Sequence, residues 1–327
     1  MKALIRADAS VQIGMGHRVR CQALVVALQA LGWQCQFVVH RDCAAFSELN
    51  DRLIDDECEF LMLAMEVDLV ILDHYQYQAS DIEKVYQQQT NLFVLDDMND
   101  RGAFPARWVL NPLHERYSSR VITPLTGPQF ALLRPEFSAP AEPVIAPPEK
   151  LLITLGGTDP LMLTLGILQS LLRHAFPVEK IQVLLGKNAA NSEAVKAFSE
   201  QYGIQLAQGV VEVRPFMANA RLAIAAAGGT LFELACMRVP TVFAQVADNQ
   251  TRSLEEHVPL GWCQCVRFDD LPEAKRSDQI ETLVHHVLLA WSDSAWRQAS
   301  RVTAQSLVDG QGSVRVAQII HNALVAK

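Results

Sequence analysis

The chain has 327 residues, half of them hydrophobic, and a formal net charge of −8. This length allows two domains of about 150 residues each, and the acidic balance argues against a nucleic-acid surface. The seven cysteines are scattered without a Cys-x-x-Cys spacing, which predicts reduced thiols in a cytoplasmic protein. Charges at Arg6 and Asp8 interrupt the first apolar run too early for a signal peptide, and no apolar stretch approaches the ~18 residues of a membrane span.

The N-terminal half alternates predicted strands with predicted helices. A strand at residues 2–7 leads through Gly14 and Gly16 to His17, where a helical pattern begins that Gly32 ends. The polar region 42–57 is predicted to be helical, and Ser80 followed by Glu83 predicts a capped helix up to residue 89. Further strands are predicted at residues 37–39, 67–72, 91–95, 108–110 and 130–133.

The C-terminal half repeats this alternation after a proline-rich segment. Residues 138–149 hold four prolines in twelve positions, which predicts a linker. Strands are then predicted at residues 151–155, 181–185, 204–207, 222–227 and 241–244, and helices at 160–174, 191–202, 228–237, 279–289, 295–307 and 314–325. Strands alternating with helices predict parallel sheets, hence two Rossmann-like α/β domains with a cleft between them. The predicted domains are residues 1–140 and 150–327, and the last helix could return to the N-terminal domain.

A candidate anion site follows the predicted strand 222–227. Gly228, Gly229 and Thr230 form a turn into a helix, whose first N–H groups and positive dipole end suit a phosphate. Glu233 is placed to accept hydrogen bonds from a ribose, and the next strand leads to Asn249 and Gln250. The alternative is a plain tight turn in which Glu233 and Thr230 form a capping box.

Two resemblances give these residues a function. The stretch from residue 226 to 250 resembles the nucleotide-sugar half of GT-B glycosyltransferases, such as the enzyme that makes lipid II. The ordered set of motifs over residues 4–250 resembles the PseG family, the UDP-sugar hydrolases of pseudaminic acid biosynthesis, which are also related to a spore-coat polysaccharide protein. These motifs are Ile5–Ser10, Gly14–His17, Asp73–Tyr75, Leu95–Asp97, Gly127–Phe137, Gly156–Asp159, Glu233 and Asn249–Gln250.

The resemblance implies that His17 activates a water molecule that attacks the anomeric carbon of a UDP-linked diacetamido-trideoxy sugar with inversion, and that Tyr75 orients the water or the sugar. A neutral imidazole near physiological pH can accept that proton, and UDP needs no acid in order to leave. The predicted substrate-binding residues are Arg6, Asp8, Gly14, Gly16, Asp73, His74, Gly156, Gly157, Gly228, Gly229, Thr230, Glu233, Asn249 and Gln250. The expected partner is a small-molecule UDP-sugar bound by a monomer, with no metal, cofactor, nucleic acid or membrane involved.

Several alternatives stay open at this point. His17 could be a helix cap, in which case His74 is the second candidate base. Asp96, Asp97 and Asp100 could bind a hard cation, or could form an acidic loop or contact substrate. The adjacent pair of residues 285–286, both histidines, lacks the i, i+4 spacing of a ligand pair. The whole protein could instead be a GT-B glycosyltransferase or a non-catalytic nucleotide-sugar binding module.

Overall fold

The computed structural model describes residues 1–10, 14–139 and 147–326. The chain divides into two compact units: unit 1 comprises Met1–Ser138 and Gly310–Lys327, and unit 2 comprises Ala139–Asp309. Of the segment predicted as a linker, residues 140–146 lie outside the described residues.

Unit 1 is built on a seven-stranded sheet in which every hydrogen-bonded pair is parallel. Its strands are β1 (Lys2–Arg6), β2 (Gln34–His40), β3 (Arg52–Ile54), β4 (Leu69–Leu72), β5 (Leu92–Leu95), β6 (Ala106–Asn111) and β7 (Val121–Thr126). Its first helices are α1 (Gly16–Ala30), α2 (Glu57–Ala64), α3 (Ala79–Gln88) and α4 (Pro135–Ser138). The order β3-β2-β1-β4-β5-β6-β7 reverses direction between β1 and β4. This reversal is the switch point at which open α/β sheets bind ligands.

Both faces of this sheet are covered, as the continuous apolar sequences of its central strands require. Alternate residues of β1 point to opposite faces, so Ile5 joins one apolar cluster with Leu24 and Leu28 of α1. Leu4 joins the other cluster, which contains Phe60 of α2. The sheet is therefore a layer between two helical layers.

Unit 2 repeats the plan with a six-stranded parallel sheet. Its strands are β8 (Lys150–Thr154), β9 (Ile181–Leu185), β10 (Gln205–Gln208), β11 (Ala220–Ala226), β12 (Thr241–Gln245) and β13 (Cys263–Arg267). Its helices are α5 (Leu163–Arg173), α6 (Ser192–Tyr202), α7 (Arg214–Ala218), α8 (Gly229–Cys236), α9 (Thr251–His257), α10 (Glu273–Ser292) and α11 (Ser294–Gln305). The order β10-β9-β8-β11-β12-β13 places the switch point between β8 and β11.

The last helix, α12 (Gly312–Val325), belongs to unit 1. Its buried residues Val316 and Ile320 join the apolar cluster that contains α1. The Ser313 hydroxyl donates a 2.9 Å hydrogen bond to the carbonyl of Leu133, which fixes the start of the helix. The chain therefore completes the core of unit 1 with its C-terminal end.

The structure corrects three of the predicted elements and adds an edge strand. Residues 42–57 are not one helix but a 3₁₀ turn (Arg41–Phe46), the short strand β3 and the start of α2. Residues 130–133 are not a strand, because the chain makes a 3₁₀ turn at Pro128–Phe130 and the edge strand β7 lies before it. Helix α3 is capped by Gln78 with Asp81, two residues earlier than the predicted Ser80 and Glu83. Strand β13, at the edge of the second sheet, was not predicted.

Within the described part of the chain, every helix falls short of the length and apolar character needed to cross a bilayer.

We expect the Gly312→Ala substitution to loosen the C-terminal helix from unit 1. A methyl group at this position would lie 2.1 Å from the carbonyl oxygen of Ala131, a backbone atom that cannot rotate away. Overpacking of this kind costs about 1–3 kcal/mol, so thermal or denaturant unfolding should occur earlier. The control is Val314→Ala on the exposed face of the same helix, which should change stability by at most about 0.5 kcal/mol. Equal stability of the two variants would contradict the close contact.

Candidate active site

The predicted catalytic residues of unit 1 converge at its switch point. Strand β1 ends before Asp8, and the neighbouring strand β4 ends before Asp73, His74 and Tyr75. Helix α1 begins at Gly16, so His17 lies in its first turn. Parallel strands deliver their carboxyl ends to one edge of the sheet, which explains why residues far apart in sequence meet here.

His17 and Asp73 form a buried pair. The side chain of His17 is 5% exposed and that of Asp73 fully buried, and Nδ1 of the imidazole contacts Oδ1 of the carboxylate. With the Nδ1 proton held by the carboxylate, Nε2 carries the lone pair that can accept a proton. The contact with Asp73 therefore fixes the orientation of the His17 ring.

Arg20, one turn further along α1, neutralises the carboxylates around this pair. Its guanidinium donates two 2.6 Å hydrogen bonds to Asp73 and a 2.8 Å hydrogen bond to Asp97. Burial alone would raise the pKa of the Asp73 carboxyl, but Arg20 and then His17 offset it, so this pKa lies well below its usual range. The pKa of Asp97 is likewise lowered, since Arg20 outweighs burial. Both carboxylates are therefore charged near neutral pH.

Tyr75 packs edge-on against His17, with 4.2 Å between the ring centroids. Its hydroxyl donates a 3.1 Å hydrogen bond to Asp97. Burial and then the Asp97 charge raise the pKa of Tyr75, so the phenol keeps its proton over the physiological range. Tyr75 is a neutral hydroxyl fixed beside the imidazole.

A small cavity of about 20 Å³ adjoins these side chains. It is lined by Asp8, His17, Asp73, His74, Tyr75 and Gln76. A volume of this size has room for about one water molecule. The candidate base therefore lies beside space for a single water.

Asp8 and His74 lie on the other side of the cavity and belong to a second network. Nε2 of His74 is 3.1 Å from the carboxylate of Asp8, which also binds the guanidinium of Arg6. Burial would raise the pKa of Asp8, but His74 and Arg6 outweigh it, so its pKa is well below the usual range. Arg6 also donates a 2.8 Å hydrogen bond to Glu57, and Glu57 accepts a further hydrogen bond from Tyr77.

This second network lines a larger pocket of about 650 Å³. Its residues are Arg6, Asp8, His40, Asp42, Cys43, Glu57, Cys58, Leu61, His74, Gln76, Tyr77, Asp81, Lys84 and Val85. The volume falls within the 300–1,000 Å³ range of small-molecule sites. Because Asp8, His74 and Gln76 line both spaces, the larger pocket adjoins the small cavity.

The acidic loop after β5 is tied to protein cations. Asp97 binds Arg20, and Asp96 lies 3.5 Å from Arg101 and accepts a 3.1 Å hydrogen bond from Tyr117. Burial raises the pKa of Asp96, with Arg101 acting against it. Among the described residues, no group of three or more His, Cys, Asp or Glu side chains has an arrangement that could hold a metal ion.

In unit 2, the predicted phosphate turn lies at the carboxyl end of β11. Gly228 precedes α8, and methyl groups built on Gly228 or Gly229 would meet open space. The N-cap of this helix is Gly228 and not Thr230, so the predicted Thr230–Glu233 capping box is not formed. Glu233 is 7% exposed on the same helix. The turn has the open backbone approach that an anion requires.

The other predicted residues of unit 2 occupy neighbouring strand ends. Gly156 adopts a positive φ of 79° after β8, and a methyl group at Gly156 or Gly157 would also meet open space. Asn249 is exposed after β12. The side-chain oxygen of the next residue, Gln250, accepts a 3.0 Å hydrogen bond from the backbone of Val246, so it shapes its own loop.

Two motif residues have structural roles. Asp159, which closes the Gly156–Asp159 motif, is 1% exposed and accepts hydrogen bonds of 3.0 and 3.1 Å from the first turn of α5. His286 on α10 lies 3.0 Å from the side-chain oxygen of Gln264.

Two residues of the unit 1 site, Arg20 and Glu57, were not predicted from the sequence. The role of Asp97 as a hydrogen-bond acceptor for Arg20 and Tyr75 was not predicted either. Arg20 carried a usable signal, because a residue three positions after His17 lies on the same helical face. Glu57 carried none, since it lies in a region predicted to be a different element.

Comparisons with known proteins agree with this architecture. No protein-family model matches the chain. The chain is 25% identical to the spore coat polysaccharide biosynthesis protein SpsG of Bacillus subtilis, over 97% of each protein. It is 23% identical, over 80% of its length, to the pseudaminic acid cytidylyltransferase and UDP-2,4-diacetamido-2,4,6-trideoxy-beta-L-altropyranose hydrolase of Helicobacter pylori. That match spans 47% of the Helicobacter protein, so the chain corresponds to about half of it.

Solved structures identify the fold. Acinetobacter baumannii MurG superposes with a TM-score of 0.64 at 12% identity, over 98% of this chain and 99% of that one. The spinosyn rhamnosyltransferase SpnG gives 0.65 at 12% identity, over 98% and 100%. MnaA of S. aureus, solved with UDP, gives 0.60 at 12% identity, over 100% and 97%. The chain thus has the GT-B fold, with two parallel Rossmann-like sheets.

Proposed function

We propose that the protein is a nucleotide-sugar hydrolase that releases the free sugar and UDP. The observation that carries this proposal is the buried His17–Asp73 pair beside a cavity with room for about one water molecule. An oriented imidazole next to a bound water is the arrangement that general-base hydrolysis needs. The region of similarity to the Helicobacter protein, whose name includes a UDP-sugar hydrolase, supports the same reaction.

In the proposed mechanism, the water in the small cavity attacks the anomeric carbon of the sugar. Nε2 of His17 accepts one proton from this water, and Asp73 stabilises the imidazolium that forms. The bond from the anomeric carbon to the diphosphate oxygen breaks, and its electron pair leaves with UDP. The neutral Tyr75 hydroxyl orients the water or the sugar. Attack opposite the leaving group inverts the anomeric configuration.

The proposed nucleotide-binding groups are those of unit 2. The open turns at Gly156–Gly157 and Gly228–Gly229 would offer backbone N–H groups to the diphosphate, Glu233 would accept from the ribose, and Asn249 would reach the sugar. The solved MnaA structure contains UDP in a protein of this fold, which supports a uridine nucleotide. We propose that the reaction needs no metal, because the helix dipole and backbone donors hold the leaving charge. The proposed substrate is UDP-2,4-diacetamido-2,4,6-trideoxy-beta-L-altropyranose, in pseudaminic acid biosynthesis.

A glycosyltransferase is the second candidate, and one observation favours it. The pocket of about 650 Å³ adjoining the small cavity offers far more space than one water, and its polar lining suits a hydroxylated acceptor. In that case an acceptor hydroxyl, not water, would attack the sugar.

Isotope labelling separates these reactions. Incubation with the UDP-diacetamido sugar in ¹⁸O-water, without an acceptor, should release UDP that carries no ¹⁸O and a free sugar that carries one. Transferase activity predicts slow release that a sugar acceptor accelerates. A non-catalytic binding module predicts UDP-sugar binding without release, and ¹⁸O in the UDP would place the attack on phosphorus and contradict the proposed mechanism.

The His17→Asn substitution should strongly lower the rate of the chemical step while leaving nucleotide binding intact. Asparagine keeps a polar contact to Asp73 but cannot accept a proton from water, so kcat should fall by at least about 10²-fold. UDP affinity should match that of the wild type, because its proposed groups lie in unit 2.

The matched control is His285→Asn on the exposed face of α10, which should leave kcat unchanged. Near-normal kcat in His17→Asn would assign His17 to packing and make His74 the next residue to test.

The Glu233→Ala substitution should weaken UDP binding by about 1–3 kcal/mol, the range for a hydrogen bond to a charged group. Isothermal titration calorimetry with UDP measures this directly. The exposed Glu200→Ala on α6 serves as the control for the loss of one carboxylate in the same unit. Unchanged UDP affinity in folded Glu233→Ala would assign Glu233 to the structure of α8.

A further inference from the structure

Arg20 contacts the partners of both proposed catalytic groups. Through Nε and Nη2 it binds Asp73, the carboxylate that contacts His17. Through Nη1 it binds Asp97, the carboxylate that accepts the Tyr75 hydroxyl. A single guanidinium therefore joins His17 to Tyr75 through two carboxylates.

Electrostatics make this bridge necessary. Asp73 is fully buried, and Asp97 is 21% exposed, so neither charge is well hydrated. Two carboxylates in such a site repel each other unless a cation lies between them. The planar guanidinium can bind one carboxylate in a bidentate manner and a second one at the same time, whereas a lysine ammonium is a point charge without that geometry.

We propose that Arg20 is a positioning residue that couples the two catalytic groups: it holds Asp73 against His17 and Asp97 against Tyr75, so that the imidazole and the phenol keep one geometry around the water cavity. This inference rests on the proposed hydrolase function for its kinetic consequences. The coupling of His17 and Tyr75 through Arg20 does not itself depend on which substrate binds.

The kinetic test is the substitution Arg20→Met, which keeps much of the side-chain length but removes the bridge. A misplaced base lowers the rate of the chemical step by about 10–100-fold, with little change in KM or UDP affinity. Arg20→Lys should recover part of the lost kcat, because it returns the charge but not the bidentate contact. The fold decrease in kcat of the double variant Arg20→Met/Asp97→Asn should be clearly smaller than the product of the decreases in the two single variants, because both substitutions act on the same network.

The pH profile gives a readout that a purely structural role would not change. The ionisable groups around Asp73 are His17, Arg20 and Cys21 of α1, together with Tyr75 and Asp97. Asp97 has His17, Arg20, Asp73 and Tyr75 around it. Arg20 is the main group that lowers the pKa values of both carboxylates. Without it, they take up protons at higher pH, so the acidic limb of kcat should move to higher pH.

The matched control is Arg18→Met. Arg18 is a buried arginine on the same helix, but it binds Asp51 at 2.6 Å and lies over the ring of Phe37. This variant removes a buried cation that binds Asp51 and neither of the site carboxylates. It should lose stability, yet retain the wild-type kcat in its folded fraction and the wild-type acidic limb.

An activity-independent measurement keeps this inference separate from the proposed function. The proton between Nδ1 of His17 and Asp73 should give a downfield proton NMR signal, assigned by its loss in His17→Asn. The signal should be lost or strongly shifted in Arg20→Met and retained in Arg18→Met. If the wild-type protein does not hydrolyse UDP-sugars, the hydrolase proposal fails while this test still stands. An unchanged signal in Arg20→Met, or equal kcat and pH profiles in the two arginine variants, would overturn the positioning role.

Discussion

The buried Asp73 carboxylate is the constraint on which the unit 1 site depends. Strand β4 ends just before Asp73 at the edge of the sheet, and the side chain of Asp73 is fully buried there. A buried charge is tolerated only when it is paired and hydrogen-bonded. Helix α1 supplies both partners, His17 in its first turn and Arg20 one turn later. These contacts with Asp73 fix where α1 begins and which of its faces is turned toward the end of β4. The orientation of the His17 imidazole follows from them.

Both units place their candidate residues with the same topological device. In each sheet the strand order reverses between two central strands, β1 and β4 in unit 1 and β8 and β11 in unit 2. The loops that follow these strands diverge, because their helices cover opposite faces, and this leaves space at the sheet edge. The two edges differ in chemistry. Unit 1 has buried ionisable groups there, whereas unit 2 has glycines whose backbone faces open space.

The fold alone does not decide the reaction, since rhamnosyltransferase and MurG structures share it. Hydrolysis is proposed because the candidate base adjoins a small cavity with room for about one water molecule. The adjoining larger pocket has the volume for an organic ligand and is lined by an independent network around Asp8 and Glu57. The identity of the attacking group, water or an acceptor hydroxyl, therefore depends on what that second network binds.

The sequence by itself determined the elements whose patterns are local. The continuous apolar runs of β4 and β11 and the helical spacing of Leu24 and Leu28 predicted the buried core and the two parallel sheets, and the strand ends predicted where His17 and Asp73 would lie. Strands β3, β7 and β13 were missed or misplaced because all three are edge strands, half exposed, and Pro124 interrupts β7. Only the tertiary structure decided the role of Arg20. Its contact with Asp97 joins residues 77 positions apart, and no local pattern encodes a charge pair that forms only when two strand ends and a helix meet.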